Sequence, residues 1–267
     1  METILVNSTM VGGLLLIYVT VVFVLALIKH DNSIMDIAYG PAFFVSLVSA
    51  AYITDVNTPL VAAVMLGIGL WSVRLSTRIF KKNLGKAEDA RYAAWRKAWS
   101  ARGRWYFLLR SYGQIYLLQG FIIFLVALPG IIALSYGEEY SLTWLTIGLL
   151  IFAGGLIYET IADHQLDTFL ARKRAGTEAA TLMTKGLFRY SRRPNYFGET
   201  LVWWGLAIMV LPLPFGYLAL ISPLVITYIV TQVTGPMLEN IFLEKYPEEY
   251  RAYMAHTNYF LPGPSHH

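Results

Sequence analysis

The hydrophobic pattern of the chain is a series of long apolar runs separated by polar connections. A helix needs about 20 mostly apolar residues to cross a membrane core about 30 Å thick. The runs predict spans near residues 10–28, 34–53, 59–80, 112–134, 141–161, 197–211 and 215–233. Pro41, Pro129 and Pro223 lie inside runs and predict local kinks, with freed carbonyls available to neighbouring helices. We expect an all-α polytopic membrane protein: a bundle of about seven transmembrane helices, forming a single membrane-embedded domain over residues 1–267.

Composition narrows the chemistry that such a protein can perform. The chain is 56% hydrophobic and 14% charged, which excludes an ordinary water-exposed domain. It has no cysteine, which excludes disulfides, thiolate nucleophiles and Cys-ligated zinc. Its five histidines show no metal-binding spacing, so we expect no metal.

The basic residues predict the orientation. Of 21 Lys and Arg residues, ten lie from Arg78, at the end of span three, to the start of span four, and seven lie between spans five and six. The opposite connections, residues 54–58, 135–140 and 212–216, contain none. The positive-inside rule then places the C-terminus in the cytoplasm and the N-terminus outside, and we expect a bacterial inner-membrane location. The net charge of +4 follows from this topology, and we expect no nucleic-acid partner.

The connection over residues 81–110 has the pattern of an interfacial helix. Trp95, Trp99, Trp105 and Tyr106 alternate with Arg and Lys residues. Aromatic rings at the membrane interface and cations near lipid phosphates are typical of a helix in the headgroup region. We therefore expect this connection to contact membrane lipids.

Ionisable residues inside the predicted spans indicate functional positions, because each costs about 2.5–3.5 kcal/mol on insertion scales. Span two contains Asp36 and Tyr39, one helical turn apart, and span three contains Arg74. Snorkelling to the headgroups is an equally good account of Arg74. Glu159, Asp163 and Asp167 repeat every four residues and form an acidic stripe on span five. The stripe favours a buried polar site over a solvated helix end.

A polar segment before span six has the groups to bind an anionic, hydrogen-bond-rich ligand. Pro194 predicts a helix start, which places Asn195 and Glu199 on one face. Arg189, Arg192 and Arg193 put cations beside them, as a nucleotide cofactor would require. No glycine-rich nucleotide-binding pattern is present, so a nucleotide would have to bind between transmembrane helices.

The run Gly186-Leu-Phe-Arg-Tyr-Ser-Arg-Arg-Pro-Asn-Tyr-Phe-Gly-Glu199 closely resembles the signature of the steroid 5-alpha-reductase family, in its bacterial membrane branch. Three further stretches agree: Glu159-x-x-x-Asp163-x-Gln165, Gly235-Pro-x-Leu-Glu239, and Tyr250-x-x-Tyr253-x-x-x-Thr257-x-Tyr-Phe-Leu-Pro262. The resemblance covers roughly residues 30–262.

This resemblance implies an enzyme of lipid metabolism that uses NADPH to reduce the carbon–carbon double bond of a Δ4-3-ketosteroid or a similar lipophilic enone. Spans one to four, residues 10–134, would take the substrate, and residues 141–262 would take the cofactor. Family cofactor-binding positions match Glu159, Asp163, Asn195 and Glu199. Approximate alignment adds Arg74, Lys86 and Lys173 as phosphate partners. Charge and location add Arg172, Arg189 and Arg193, and the cofactor set is completed by Tyr196 and Glu239.

The resemblance also suggests catalytic positions. The family uses an acid in span two and a tyrosine in span three, where this chain has Asp36 and Trp71. A buried carboxyl can stay protonated and donate to the enone oxygen. The departure at Trp71 leaves two candidates for the second donor, its own indole N–H or the hydroxyl of Tyr39.

Three alternatives stay open at this stage. An S-adenosylmethionine-dependent membrane methyltransferase of the isoprenylcysteine or phospholipid type shares an Arg-x-Pro-x-Tyr-x-Gly-like motif and a similar C-terminal tail. A sterol double-bond reductase would share the cofactor but usually has more spans. A transporter could use Asp36 and Glu159 as proton relays, although no inverted repeat supports it.

Overall fold

The computed structural model of the protein describes residues 1–264 and contains only helices and connections within that range. The helices are α1 Glu2–Lys29, α2 Ile34–Thr54, α3 Pro59–Asn83, α4 Ala90–Ser100, α5 Arg104–Ser111, α6 Leu118–Val126, α7 Leu128–Tyr136, α8 Leu142–Arg174, α9 Pro194–Val210, α10 Ile221–Tyr228, α11 Gly235–Lys245 and α12 Pro247–His256. Two π-helical segments, Tyr112–Leu117 and Ile229–Thr234, join α5 to α6 and α10 to α11. The all-α prediction is confirmed.

Among residues 1–264, six continuous helices are long and apolar enough to cross a membrane. They are Glu2–Lys29, Ile34–Thr54, Pro59–Asn83, Arg104–Val126, Leu142–Arg174 and Gly216–Lys245. The protein is therefore an integral membrane protein. The predicted sixth span corresponds to α9, which has 17 residues, so the count of seven is not reached by length alone.

The three prolines predicted inside spans have different outcomes, and one of them, Pro223, lies in the first turn of α10. α2 continues past Pro41, which has no N–H to donate to the Ile37 carbonyl. The Ser76 hydroxyl of α3 donates to that carbonyl at 3.0 Å, as expected for a freed group with a helical neighbour. At Pro129 the helix instead breaks after Val126 and restarts at Leu128, which gives α7 a proline in its first turn.

The chain divides into two compact units. The first contains Met1–Leu142 and Met209–Ile221, and the second contains Thr143–Ile208 and the chain from Ser222 onward. In the first unit α2 packs against both α1 and α3. The connection after α3 forms helices α4 and α5, as its aromatic pattern predicts. There Trp95 and Trp99 stack with ring centroids 5.6 Å apart, and Trp105 is 76% exposed.

In the second unit α8 and α9 approach at backbone distance. A Cβ on Gly198 would lie 2.6 Å from the Glu159 amide nitrogen, and one on Gly205 would lie 2.5 Å from that of Phe152. Only glycine permits this spacing, because any side chain at these positions would meet backbone atoms rather than a flexible side chain. The close approach puts the start of α9 directly beside the buried carboxylates of α8.

Candidate functional site

The first polar cluster, which we call the Asp36 cluster, lies in the first unit at the beginning of α2. The Tyr92 hydroxyl of α4 donates to Asp36 Oδ1 at 2.5 Å. Arg91 Nη2 reaches Asp36 Oδ2 at 3.3 Å, and Gln119 Nε2 of α6 donates to the Tyr92 hydroxyl at 3.4 Å. Asp36 is thus held by a hydroxyl on one oxygen and a cation on the other.

The environment keeps Tyr92 protonated. Its side chain is buried, and burial raises its pKa, as do the nearby charge of Asp36 and the hydrogen bond to it. The Asp36 side chain is 25% exposed and Arg91 is 52% exposed, so the cluster has a buried and an accessible end. A hydroxyl–carboxyl pair of this kind can supply a proton to an oxygen that gains negative charge.

The two other predicted catalytic residues lie in an aromatic group formed by α2, the helix of Asp36, and α3. Tyr39 and Trp71 both pack edge-on against Phe43, with ring centroids 5.4 and 5.5 Å away. Trp71 is fully buried. The structure therefore pairs Asp36 with Tyr92, a residue that the sequence argument missed. Only long-range information could have found it, because the two residues are 56 positions apart.

The second polar cluster, the Arg192 cluster, lies in the second unit around the segment before α9. Arg192 Nε pairs with Glu239 Oε1 of α11 at 2.8 Å, with side chains 8% and 15% exposed. Arg192 Nη1 donates to the Thr257 carbonyl at 2.6 Å, and the Tyr250 hydroxyl donates to Glu239 at 3.2 Å. Glu239, predicted to bind the cofactor, thus serves to fix the C-terminal tail against the Arg192 segment.

The next residue, Arg193, has a different environment. Its guanidinium lies 5.5 Å from the ring centre of Phe242. Its Nε and Nη2 atoms are buried and have no hydrogen-bond partner among residues 1–264. Arg193 as a residue is half-buried, and its two nitrogens without partners match the geometry of a phosphate, which accepts from a guanidinium in bidentate fashion.

The remaining predicted cofactor residues of the second unit fall into three settings. Glu159 and Asp163 are buried, at 4% and 6% exposure, while Asp167 is exposed, so the acidic stripe is buried at only two of its three positions. Asn195, Tyr196 and Glu199 are half-buried in the first turns of α9, and Gly198 brings them beside Glu159. Arg189 is exposed.

Two further predicted cofactor residues, Arg172 and Lys173, are cations at the end of α8. Lys173 donates to the Thr181 carbonyl at 2.7 Å and lies over the rings of Phe169 and Tyr246. Arg172 lines a cavity of about 310 Å³ together with His164, Gln165 and Lys185. Of the predicted cofactor residues only Arg172 lines this cavity. Arg74 and Lys86, the other predicted phosphate partners, belong to the first unit.

The donor set of the second unit fits a dinucleotide phosphate cofactor. Arg193 has free, buried donors for a phosphate, and Arg172 and Lys185 line a cavity that can take part of a nucleotide. The buried carboxylates Glu159 and Asp163 can accept hydrogen bonds from ribose hydroxyls or an amide. Within residues 1–264 no group of three or more His, Asp or Glu side chains is arranged to hold a metal ion.

These features define a class: an all-helical integral membrane protein with, among residues 1–264, a part-buried hydroxyl–carboxyl pair and an arginine that has two buried nitrogens without a hydrogen-bond partner. The chain belongs to DUF1295, a family of proteins of unknown function whose model matches residues 22–257. An uncharacterized protein of Schizosaccharomyces pombe is 29% identical over 219 residues, covering 72% of this chain. The chain spans only 60% of that relative's length. No solved structure matches the chain.

Proposed function

We propose that the protein is a membrane oxidoreductase that transfers a hydride from NADPH to the double bond of a Δ4-3-ketosteroid or a similar lipophilic enone. The observation that carries the proposal is the 2.5 Å hydrogen bond between Tyr92 and Asp36. Enone reduction requires a proton donor at the ketone oxygen, whereas methyl transfer to a nucleophile requires a group that removes a proton. Membership of a family related to steroid-reductase-like membrane proteins is consistent with this choice.

When bound, NADPH supplies a hydride to the β-carbon of the enone. The electron pair then shifts to the ketone oxygen, which becomes an enolate oxygen. In our proposal, Asp36 carries a proton when the lipophilic substrate is bound, and it donates that proton to the ketone oxygen as the charge develops. The enol then becomes the saturated ketone by gaining a proton from solvent at the α-carbon and returning its O–H proton to the Asp36 carboxylate.

Tyr92 and Arg91 have supporting roles in this step. The Tyr92 hydroxyl holds one carboxyl oxygen of Asp36 in place, and Arg91 stabilises the carboxylate left after proton transfer. Burial of Tyr92 excludes water from this end of the cluster, which strengthens the hydrogen bond.

The residues proposed to hold the cofactor belong to the second unit. Arg193 would bind a phosphate, and Glu159, Asp163, Asn195 and Glu199 would accept or donate hydrogen bonds to the ribose and amide groups. The cationic residues favour NADPH over NADH, because the 2′-phosphate adds negative charge. We also propose that α9 crosses the membrane, which brings the number of spans to seven. The N-terminus then lies outside and the C-terminus lies in the cytoplasm, where the cofactor is available.

The proposal is tested with the full chain purified in lipid nanodiscs. We expect NADPH, but not S-adenosylmethionine, to raise its melting temperature, and we expect NADPH to be oxidised only when a Δ4-3-ketosteroid is present. Glu199→Ala should abolish this turnover, whereas Glu244→Ala, an exposed change on α11, should leave it unchanged. Stabilisation by S-adenosylmethionine alone would contradict the proposal and favour a methyltransferase.

A further inference from the structure

The short segment before α4 is tied to the segment before α2 by two adjacent hydrogen bonds. Glu88 Oε1 accepts from the Asn32 backbone N–H at 2.7 Å. The Ser33 hydroxyl accepts from the Asp89 backbone N–H at 2.8 Å. Residue 88 therefore bonds to residue 32 and residue 89 to residue 33, although 56 positions of sequence separate the members of each pair.

Arg96 extends this connection along α4. Its Nε and Nη2 atoms donate to the two carboxylate oxygens of Glu88, both at 2.8 Å. This bidentate pair is mostly buried, with the Arg96 side chain 22% and the Glu88 side chain 11% exposed. Such a fork fixes orientation as well as distance, unlike a single exposed ion pair.

The Arg96–Glu88 pair fixes the side of α4 on which Tyr92 lies. Tyr92 and Arg96 are four residues apart and so lie on the same side of the helix. Asp36 follows Asn32 by four residues on the other side of the connection. Fixing Glu88 to Asn32 and Arg96 therefore sets the spacing between the Tyr92 hydroxyl and the Asp36 carboxyl.

We propose that Glu88 is a positioning residue, which holds α4 on the start of α2 so that the Tyr92 hydroxyl meets Asp36. Asn32 strengthens the same connection, because it is fully buried and its Oδ1 accepts from the Tyr116 hydroxyl at 2.9 Å. Glu88 is ionised at neutral pH. Burial raises its pKa, but the hydrogen bonds from Arg96 and Asn32 together lower it by more, so that the pKa lies below its ordinary value. The effect of Glu88 on turnover rests on the proposed function, whereas its effect on the position of Tyr92 does not.

The kinetic test compares Glu88→Gln, Tyr92→Phe and the double variant. Glu88→Gln keeps the side-chain size but removes the negative charge to which Arg96 donates its two hydrogen bonds. We expect kcat to fall by on the order of tenfold to a hundredfold through misplacement of Tyr92, with NADPH affinity unchanged. In the Tyr92→Phe background the same change should cause no further loss, because it acts through Tyr92. Equal losses in both backgrounds, or a wild-type kcat for Glu88→Gln, would overturn the proposal.

A second readout does not depend on turnover and separates failure of this inference from failure of the proposed function. Ring-labelled tyrosine NMR at neutral pH, with the Tyr92 signal assigned by its loss in Tyr92→Phe, reports the hydrogen bond of the Tyr92 hydroxyl through the ring chemical shift. We expect the Tyr92 signal of Glu88→Gln to move towards its position in Asp36→Asn, because the hydroxyl leaves its contact with the Asp36 carboxyl. A Tyr92 signal unchanged from the wild type would contradict the positioning role.

Two further variants serve as controls. Glu138→Gln makes the same change at an exposed position of the first unit and should alter neither readout. If Glu88→Gln does not fold, Arg96→Lys replaces it, since lysine keeps the charge but loses the bidentate fork. We expect it to give the same non-additive loss with Tyr92→Phe, and additive losses would again overturn the proposal.

Discussion

The Asp36 cluster and the Arg192 cluster satisfy their charged groups in different ways. In the first, Asp36 and Glu88 each receive hydrogen bonds from two neighbours, so both carboxyl groups are paired within the protein. In the second, Arg192 donates to Glu239 and to a tail carbonyl, while adjacent Arg193 keeps buried nitrogens without a partner among residues 1–264. Paired carboxyl groups suit a proton-transfer site that needs a fixed position, and donors without a partner suit an external anion.

The largest expected effect is on turnover when the carboxyl of Asp36 is removed. Asp36→Asn keeps the shape but cannot donate a carboxylic proton, so enone reduction should slow by about 10²–10⁴-fold. NADPH affinity, measured by titration, should stay near that of the wild type. Asp55→Asn makes the same substitution at the exposed other end of α2, in a left-handed conformation that asparagine tolerates, and is the matched control. Wild-type turnover in Asp36→Asn would remove Asp36 from the mechanism.

The next largest effect is on folding stability, in the Arg192 cluster. Glu239→Ala leaves Arg192 buried without its carboxylate, and breaking a buried pair from one side costs about 3–5 kcal/mol. We expect a clear drop in melting temperature, whereas Glu244→Ala on the same helix should melt like the wild type. If both variants melt alike, Glu239 does not fix the tail, and a direct role in ligand binding becomes the better account.

Arg193 should behave in the opposite way to its neighbour. Arg193→Ala removes a charged donor from the cofactor and should weaken NADPH binding by about 1.5–3 kcal/mol, or about 10- to 150-fold. Stability should change little, since the two buried nitrogens have no partner to lose. Arg251→Ala, an exposed change in the same unit, serves as the control. A melting loss as large as that of Glu239→Ala, with NADPH binding intact, would make Arg193 structural.

The smallest effect is on acid stability through Glu88. A carboxyl whose pKa is lowered in the folded state adds stability above its unfolded pKa of about 4.3, and this stability is lost as pH falls through the folded pKa. The wild type should therefore lose more melting temperature than Glu88→Gln on acidification below about pH 4. Parallel melting curves for the two proteins across that range would contradict the lowered pKa.

The parts of the fold that sequence predicted are those that depend on local pattern. Apolar runs predicted the membrane helices, the aromatic spacing at Trp95 and Trp99 predicted α4, and the freed Ile37 carbonyl followed from Pro41. The length of α8 was underestimated, because its polar end, including Glu159 and Asp163, continues as helix to Arg174 without a break.

The candidate site depended more on long-range contacts, which the pattern does not contain. Asp36 was identified because a carboxylate in a span is costly, but its partner Tyr92 lies on α4, in a sequence with no feature that points to α2. Likewise Arg192 and Arg193 are identical in type and adjacent in sequence. Only the packing of α11 and the tail determines which one pairs with Glu239.

The most direct test of the central claim follows the two hydrogens that enter the product. The purified protein is given NADPH deuterated at the transferable position and a Δ4-3-ketosteroid, and the saturated ketone is analysed by mass spectrometry and NMR. We predict that deuterium appears only at the β-carbon, that the α-carbon hydrogen comes from solvent, and that Asp36→Asn forms little product. Absence of a deuterated ketone with wild-type protein, together with methyl transfer from S-adenosylmethionine, would contradict the account.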